Sequence, residues 1–495
     1  MNKRSVTRRS VLKTITALGV VASGWLNPLL SFARESKPDL LQPFKGILVW
    51  RSDPAWLRWF WGMTWYSIKP RRFPAVIAQP QDAGDIQLLL AYAAQAGHQV
   101  ALRSSGHNIT HSPLRHNAVT IDLSLFNTID IDAGSKTAWA GPGVFSQQLN
   151  EETFQHGLVF PGAHTGFVTL GGFLLGGGMG WNMPAYGMGC ASVLAAELML
   201  ADGRIVTASA TENPDLFWAI RGVGPGFFAV VLRYKLQLHP APAAVMNTFY
   251  FPLDRLGSAI EEVLTLLPAN NQRSEILGAL GRFSPPGTPA AEQRWHYVLN
   301  VISFGATEEA ATAVAEIFNR SRLPEICTLH SVHNRSLNYL DLFSALGATD
   351  AYSTSRTSET AFFTEHPEKV LPVIAGLLEQ EAVDSRSFGF SVIDTNPTVP
   401  EPCSFTHWAP HYVSWYLIGE NQQDFAANER LMKKLNAAIA PWASGYYINE
   451  IDLSIAPEMA RQCFSDEKWL RLNELREKWD PEKLFFSYVT SDPDH

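Results

Sequence analysis

The sequence predicts an α+β protein with two unlike regions, and three observations lead there. A strand, a helix and a strand follow one another over residues 75–107. Glycine turns then punctuate short strands as far as residue 240. Beyond Pro240-Ala241-Pro242 the pattern changes to strands alternating with helices, which suits an antiparallel sheet covered by helices on one face. A chain of 495 residues is long enough for two or three domains, each with its own core.

Each element has a local cause. Ala75-Val76-Ile77-Ala78 reads as the first strand. Its helix starts near Pro80 and Asp82, carries Ile86, Leu89, Leu90 and Ala93, and stops at Gly97. Val100-Ala101-Leu102 closes the βαβ unit. Residues 119–123 and 138–144 are strand-like with glycine turns. Residues 197–200 and 204–207 flank Asp202-Gly203, a hairpin signal. Asn213 and Pro214 read as N-cap and first residue of a short helix at 215–221, ended by Gly222. Residues 229–234 form the next strand. Past the boundary come strands at 247–251, 295–302 and 411–417, and helices at 258–267, 308–318, 425–439 and 467–478.

Composition narrows the function classes. Hydrophobic residues make up 46% and charged residues 17%, as in a globular protein. A net charge of −8 leaves no basic excess to neutralise phosphates, so nucleic acid is not an expected partner. Thr7-Arg8-Arg9-Ser10-Val11-Leu12-Lys13 matches a twin-arginine export signal, with Ser31-Phe32-Ala33 as the cleavage site. The apolar stretch between is interrupted by Gly19, Gly24, Asn27 and Pro28, and falls short of the ~20 residues of a bilayer span. The expectation is cleavage after Ala33 and a periplasmic or secreted mature chain without a membrane span. That route carries folded proteins, often with a cofactor already loaded. Cys190, Cys327, Cys403 and Cys463 are spaced too widely for a C-x-x-C zinc site; three disulfide pairings, or four free thiols, stay open.

The chemistry concentrates in two glycine-containing stretches. Arg103-Ser104-Ser105-Gly106-His107-Asn108 follows a strand, and its small residues let backbone N–H groups close around an anion. Downstream lies Gly171-Gly172-Phe173-Leu174-Leu175-Gly176-Gly177-Gly178-Met179-Gly180. A nicotinamide-binding fingerprint is not expected, because Gly222-Val223-Gly224-Pro225-Gly226 follows a helix where that motif precedes one. No G-x-S-x-G or H-E-x-x-H motif stands out, and nothing asks for a catalytic metal.

These stretches, then Tyr186-Gly187, the Asp-Gly hairpin and Asp215-Leu216-Phe217-Trp218-Ala219-Ile220-Arg221-Gly222, resemble the PCMH-type FAD-binding domain of the vanillyl-alcohol-oxidase superfamily. The tail is similar to the berberine-bridge-enzyme branch, through Tyr447-Ile448-Asn449 and Asp480-Pro481-Glu482-Lys483-Leu484-Phe485. The resemblance runs over residues 70–242 and 445–488. After the signal peptide read at 1–33 and an extension at 34–69, it implies an FAD-binding domain at 70–242. A substrate domain would span 243–444, and a C-terminal segment at 445–495 would return to the FAD domain.

The resemblance also implies roles. Arg103 to Asn108 would wrap the FAD pyrophosphate, with Gly171, Gly172, Gly176, Gly177 and Asn449 completing the site. His107 would be joined through its imidazole to the flavin 8α-methyl; the plainer alternative is a loop histidine bonding to phosphate. Thr165 stands where many members carry a second, cysteine link, and Thr cannot form a thioether, so one covalent bond is expected. Cys190 aligns with a family Asp and reads as a packed thiol. Val168 stands where a small side chain would admit O2. Glu450 replaces the tyrosine that often serves as base; the competing reading is a Glu facing solvent or pairing with an Arg. Tyr412 and Tyr416 share one strand face and are alternative bases or substrate contacts. Tyr447 completes the catalytic candidates. The implied function is an exported FAD-dependent oxidoreductase acting on the C–OH group of a sugar, alcohol or phenolic substrate by hydride transfer to flavin N5, with O2 as acceptor. The alternatives are a dehydrogenase using a quinone or cytochrome, and a non-catalytic binding protein on the same fold.

Overall fold

The computed structural model describes residues 37–66, 69–283, 293–345, 356–395 and 402–489. The twin-arginine segment at residues 7–13 and the cleavage site at Ala33 lie outside the described residues. Strands β1 (Ile47–Trp50), β2 (Val76–Gln79), β3 (Val100–Arg103) and β4 (Val119–Asp122) form the first sheet, in the order β1-β2-β4-β3. The βαβ unit is split, because β4 inserts between β2 and β3 and runs parallel to both. The intervening helix, Ala83–Ala96, begins where the Asp82 carboxylate accepts from the Asp85 N–H. It ends at Gly97, which sits in the left-handed region at φ 70°. Ile86, Leu89, Leu90 and Ala93 are all buried against the sheet. β1 comes from the segment before residue 70 and pairs antiparallel with β2.

The second sheet has the order β5-β6-β10-β8-β9 and is antiparallel throughout. Its strands are β5 (Ile129–Asp132), β6 (Thr137–Ala140), β8 (Val193–Met199), β9 (Ile205–Ser209) and β10 (Val230–Gln237). The two-residue strands β7 (Leu158–Val159) and β11 (His239–Pro240) pair beside it. The Asp202-Gly203 hairpin joins β8 to β9. Asn213 does not cap the next helix in the expected way. Its backbone is left-handed at φ 44°, and its amide donates to the Thr207 carbonyl at 2.7 Å, tying helix Pro214–Ala219 to β9.

The third sheet has eight strands, all antiparallel, in the order β15-β12-β14-β13-β17-β18-β16-β19. They are β12 (Ala243–Pro252), β13 (Ser274–Phe283), β14 (Arg294–Gly305), β15 (Leu329–Leu337), β16 (Arg356–Thr364), β17 (Phe388–Ile393), β18 (His411–Gly419) and β19 (Gly445–Ile451). One face packs on helices Leu256–Asn270, Glu308–Asn319, Pro367–Glu381 and Gln422–Ile439. The other turns toward the first two sheets and carries Leu277, Phe363, Val392 and Tyr412 in a core shared with Met179 and Trp181. Strand alternation sorts the side chains between these faces. The antiparallel sheet with helices on one face is the expected arrangement, although β13, β15, β16, β17 and β19 were not anticipated.

The tail then crosses back. The Val100 N–H donates to the Leu484 carbonyl at 2.7 Å, and the Phe486 N–H to the Val100 carbonyl at 3.0 Å, adding a short parallel pairing beside β3. All four cysteines are free thiols, three of them buried. No helix among the described residues is long and apolar enough to cross a membrane.

Candidate active site

A cavity of about 600 Å3 lies between the inward face of the third sheet and the glycine-containing loops. Its volume is in the range of small-molecule and cofactor sites. Arg103, Ser104, Ser105, Gly106, His107, Asn108, Thr165, Val168, Gly171 and Gly172 line one side of it. Tyr412, Tyr416, Tyr447, Asn449 and Glu450 line the other. The structure thus brings together fifteen residues far apart in sequence. Gly176 and Gly177 do not line the cavity and lie behind it. A Cβ on Gly176 would lie 2.0 Å from Asn449 Oδ1, and Gly177, at φ 105°, faces the Phe405 ring. They let the loop turn and pack against protein.

The loop after β3 is shaped to hold an anion. Gly106 takes φ 74°, and a Cβ there would lie 2.2 Å from the Met63 carbonyl. Its own carbonyl accepts from the Trp65 N–H at 3.0 Å. None of the backbone N–H groups of Ser104 to Asn108 donates to a backbone carbonyl among the described residues. Arg103 is held back by Asp122 at 2.8 Å. Arg115, which the motifs did not single out, lines the cavity, is 1% exposed and has no acid partner among the groups acting on it. It donates to the Ser487 carbonyl at 2.6 Å, while its Nη1 is buried without a partner. Burial pushes its pKa down to about 9. Free N–H groups beside an uncompensated buried cation are what a phosphate group satisfies.

His107 sits beside this cradle, packed against the Trp65 and Phe167 rings at centroid distances of 5.5 and 5.6 Å, while those two rings stack on each other at 4.6 Å. Its Nε2 is buried and has no hydrogen-bond partner. Burial pushes its pKa down to about 4, so the ring is neutral at pH 7. Thr165 and Val168 line the same cavity, and no cysteine does so among the described residues.

The opposite wall carries titratable groups. Glu450 on β19 accepts hydrogen bonds from the Tyr412 hydroxyl and, at 3.3 Å, from the Tyr416 hydroxyl. Burial raises its pKa above the ordinary carboxylate range, while the two tyrosines act in the opposite sense. Tyr447 is placed differently. Its oxygen accepts from the Gly178 and Met179 N–H groups and from Asn449 Nδ2, at 3.2, 3.3 and 3.3 Å. It therefore anchors β19 to the glycine run. Asn449 reinforces that anchor by donating to the Phe173 carbonyl at 3.2 Å.

Four further lining residues were missed from sequence. Glu359 on β16 is 4% exposed and stands opposite Tyr416. Phe388 stacks on Tyr416 with centroids 4.6 Å apart, and Phe390 packs edge-on against Tyr412. His164 lies 2.5 Å from the buried Glu275, which also accepts from the Asn182 N–H at 2.8 Å. No local motif marks any of them; each is a single side chain delivered by strand register or loop packing.

Comparison with known proteins agrees with this geometry. Residues 74–209 match the family model described as FAD binding domain. The FAD-linked oxidoreductase ptmO of Penicillium ochrochloron is 35% identical over 223 residues, 45% of this chain and 49% of that protein. The match thus spans about half the length of that relative. The crystal structure of 6-hydroxy-D-nicotine oxidase from Arthrobacter nicotinovorans has a TM-score of 0.76 over 95% of this chain and 100% of that one, at 22% identity. A BBE-like protein of Physcomitrella patens has a TM-score of 0.77 over 92% and 99%, at 17% identity. Residues 74–209 therefore belong to an FAD-binding domain family. The chain as a whole carries the same two-part fold as these two solved structures.

Proposed function

We propose that this chain is an exported FAD-dependent oxidoreductase that removes a hydride from a carbon bearing an O–H group, with O2 as the electron acceptor. The observation that carries the reading is Glu450. Its carboxylate lies in one cavity with the anion-binding loop and is aimed by two tyrosine hydroxyls. Bound here, FAD supplies a two-electron hydride acceptor. The loop N–H groups and the Arg115 guanidinium would hold its pyrophosphate, and the His107 imidazole would carry a single covalent link. Thr165 offers no sulfur for a second.

Glu450 takes the substrate O–H proton while the C–H hydride departs. Tyr412 and Tyr416 hold the carboxylate in place. Phe388, Phe390 and the tyrosine rings line this wall with aromatic surface, which suits a ring-bearing alcohol, whether phenolic or sugar. Val168 keeps the O2 path open. Twin-arginine export rests on Thr7 to Lys13.

The direct test is anaerobic mixing of the purified protein with phenolic, aliphatic and sugar alcohols while flavin absorbance is followed. Wild type should bleach with at least one class. Glu450→Gln should bleach about 10²–10⁴ times more slowly with FAD still bound. Equal rates in the two would overturn Glu450 as base. Slow Tyr412→Phe or Tyr416→Phe beside a normal Glu450→Gln would move the base to β18.

A further inference from the structure

We infer that Glu359 is the second half of the proton-accepting group: the Glu359 and Glu450 carboxyls share one proton, and Glu359 positions and ionises the Glu450 base. The inference rests on the reading of Glu450 as base. Strand register puts the two on one face. Thr360 stands opposite Ile451, and the Asp452 N–H donates to the Glu359 carbonyl at 3.0 Å. The ladder is irregular at Glu450 itself, but Tyr416, which stands opposite Glu359 on β18, donates its hydroxyl to Glu450 at 3.3 Å and so brings the two carboxyls to one side. Both line the cavity, and both lie within hydrogen-bonding reach of each other and of Tyr416.

The surroundings decide where the proton sits. The groups facing the pair are Tyr412, Tyr416, Tyr447, His164 and Asp452. No Lys or Arg is among the causes acting on either carboxyl. Of the arginines lining the same cavity, Arg386 is bound to Asp384 and Glu420, Arg103 to Asp122 and Arg115 to the Ser487 carbonyl, and Arg282 is exposed at the end of β13. His164, which acts favourably on Glu450, is itself held by the buried Glu275. Two adjacent carboxyls with no Lys or Arg beside them do not both ionise in a buried site. Glu359 is the more buried, and its Oε1 has no partner. Glu450 receives two tyrosine hydroxyls. The proton therefore resides on Glu359, which donates it as a hydrogen bond to the Glu450 carboxylate.

The arrangement gives a balanced step. The substrate C–H bond breaks, its electron pair leaves as hydride to the flavin, and the O–H proton goes to Glu450 as the carbonyl forms. The pair then holds two protons, and one returns to solvent after product leaves. Glu359 touches the reaction through Glu450 and is a positioning residue.

The test uses holoenzyme with Glu359→Gln, Glu359→Leu and Glu450→Gln. Infrared difference titration should find one protonated buried carboxyl at neutral pH in wild type, absent in Glu359→Gln and present in Glu450→Gln. The pH profile of anaerobic flavin reduction should keep its acidic limb in Glu359→Gln, whose amide still donates. In Glu359→Leu the limb should move up by about one pH unit or more, because the donor is lost. Absence of the band in wild type, its survival in Glu359→Gln, or an unmoved limb in Glu359→Leu would overturn the shared proton. Normal reduction by Glu450→Gln would overturn the base reading instead, and the infrared band would still report on the pair independently.

Discussion

At the scale of single residues, the cavity trades stability for chemistry. Burial raises the Glu359 pKa well above the carboxylate range, and the Glu450 charge adds to that. A carboxyl whose folded pKa exceeds its unfolded value of ~4.3 contributes stability below that value, and the contribution is lost as pH rises through the folded pKa. Glu359→Gln stays neutral throughout. It should match wild type in thermal unfolding near pH 4 and melt progressively higher as pH rises toward 8. A difference independent of pH would mean the carboxyl is not titrating there. His107 makes a second prediction. Its buried, unpaired Nε2 is neutral and available for a bond to carbon. Acid precipitation should leave flavin in the wild-type pellet and release it from His107→Ala. Colour in the wild-type supernatant would dismiss the covalent link. Peptide mass spectrometry should find that attachment alone, since the position beside Val168's loop that would offer sulfur is Thr165.

At the scale of elements, the returning tail matters more than its length suggests. Asp480 is fully buried and accepts from the Leu484 and Phe485 N–H groups at 2.8 and 3.0 Å. Those residues belong to the segment that pairs with Val100, immediately before the anion-binding loop. Arg476 adds bonds to the Phe485 and Gly226 carbonyls. Asp480→Ala strands two buried donors and should destabilise by about 2–4 kcal/mol in urea unfolding. It should also lower flavin content, because β3 loses its flank. Undiminished flavin at reduced stability would separate the tail from the site. Local signals explain what could be read from sequence here. The cradle is continuous in the chain, so Arg103 to Asn108 and Gly171 to Gly180 were readable as motifs. The caps of helix Ala83–Ala96 and the Asp202-Gly203 hairpin were likewise local. β13 is buried almost end to end and so lacks the alternation that marks a half-buried strand. β15 is a polar edge strand with no apolar run. Glu359 depends on the register of β16 against β18 and β19, which no stretch of sequence near it encodes.

At the scale of the whole molecule, the site exists only when both regions and the tail have come together. The anion-binding loop belongs to the first sheet, the carboxyl pair to the third, and the tail bridges them. Reduced protein mixed with air should reoxidise quickly and form hydrogen peroxide if Val168 leaves the O2 path open. Reoxidation over minutes, with fast turnover on a quinone, would identify a dehydrogenase. Assembly order leads to the last prediction. A cavity made from distant segments is complete only in the folded chain, and the twin-arginine route transports chains already folded. FAD should therefore enter, and bond to His107, before export. Replacing Arg8 and Arg9 with Lys should hold the precursor in the cytoplasm. That retained precursor should already carry acid-stable flavin at the same stoichiometry as exported wild type. Export unaffected by the substitutions would rule out the twin-arginine route. A retained precursor that is folded but colourless would instead place flavin loading after transport.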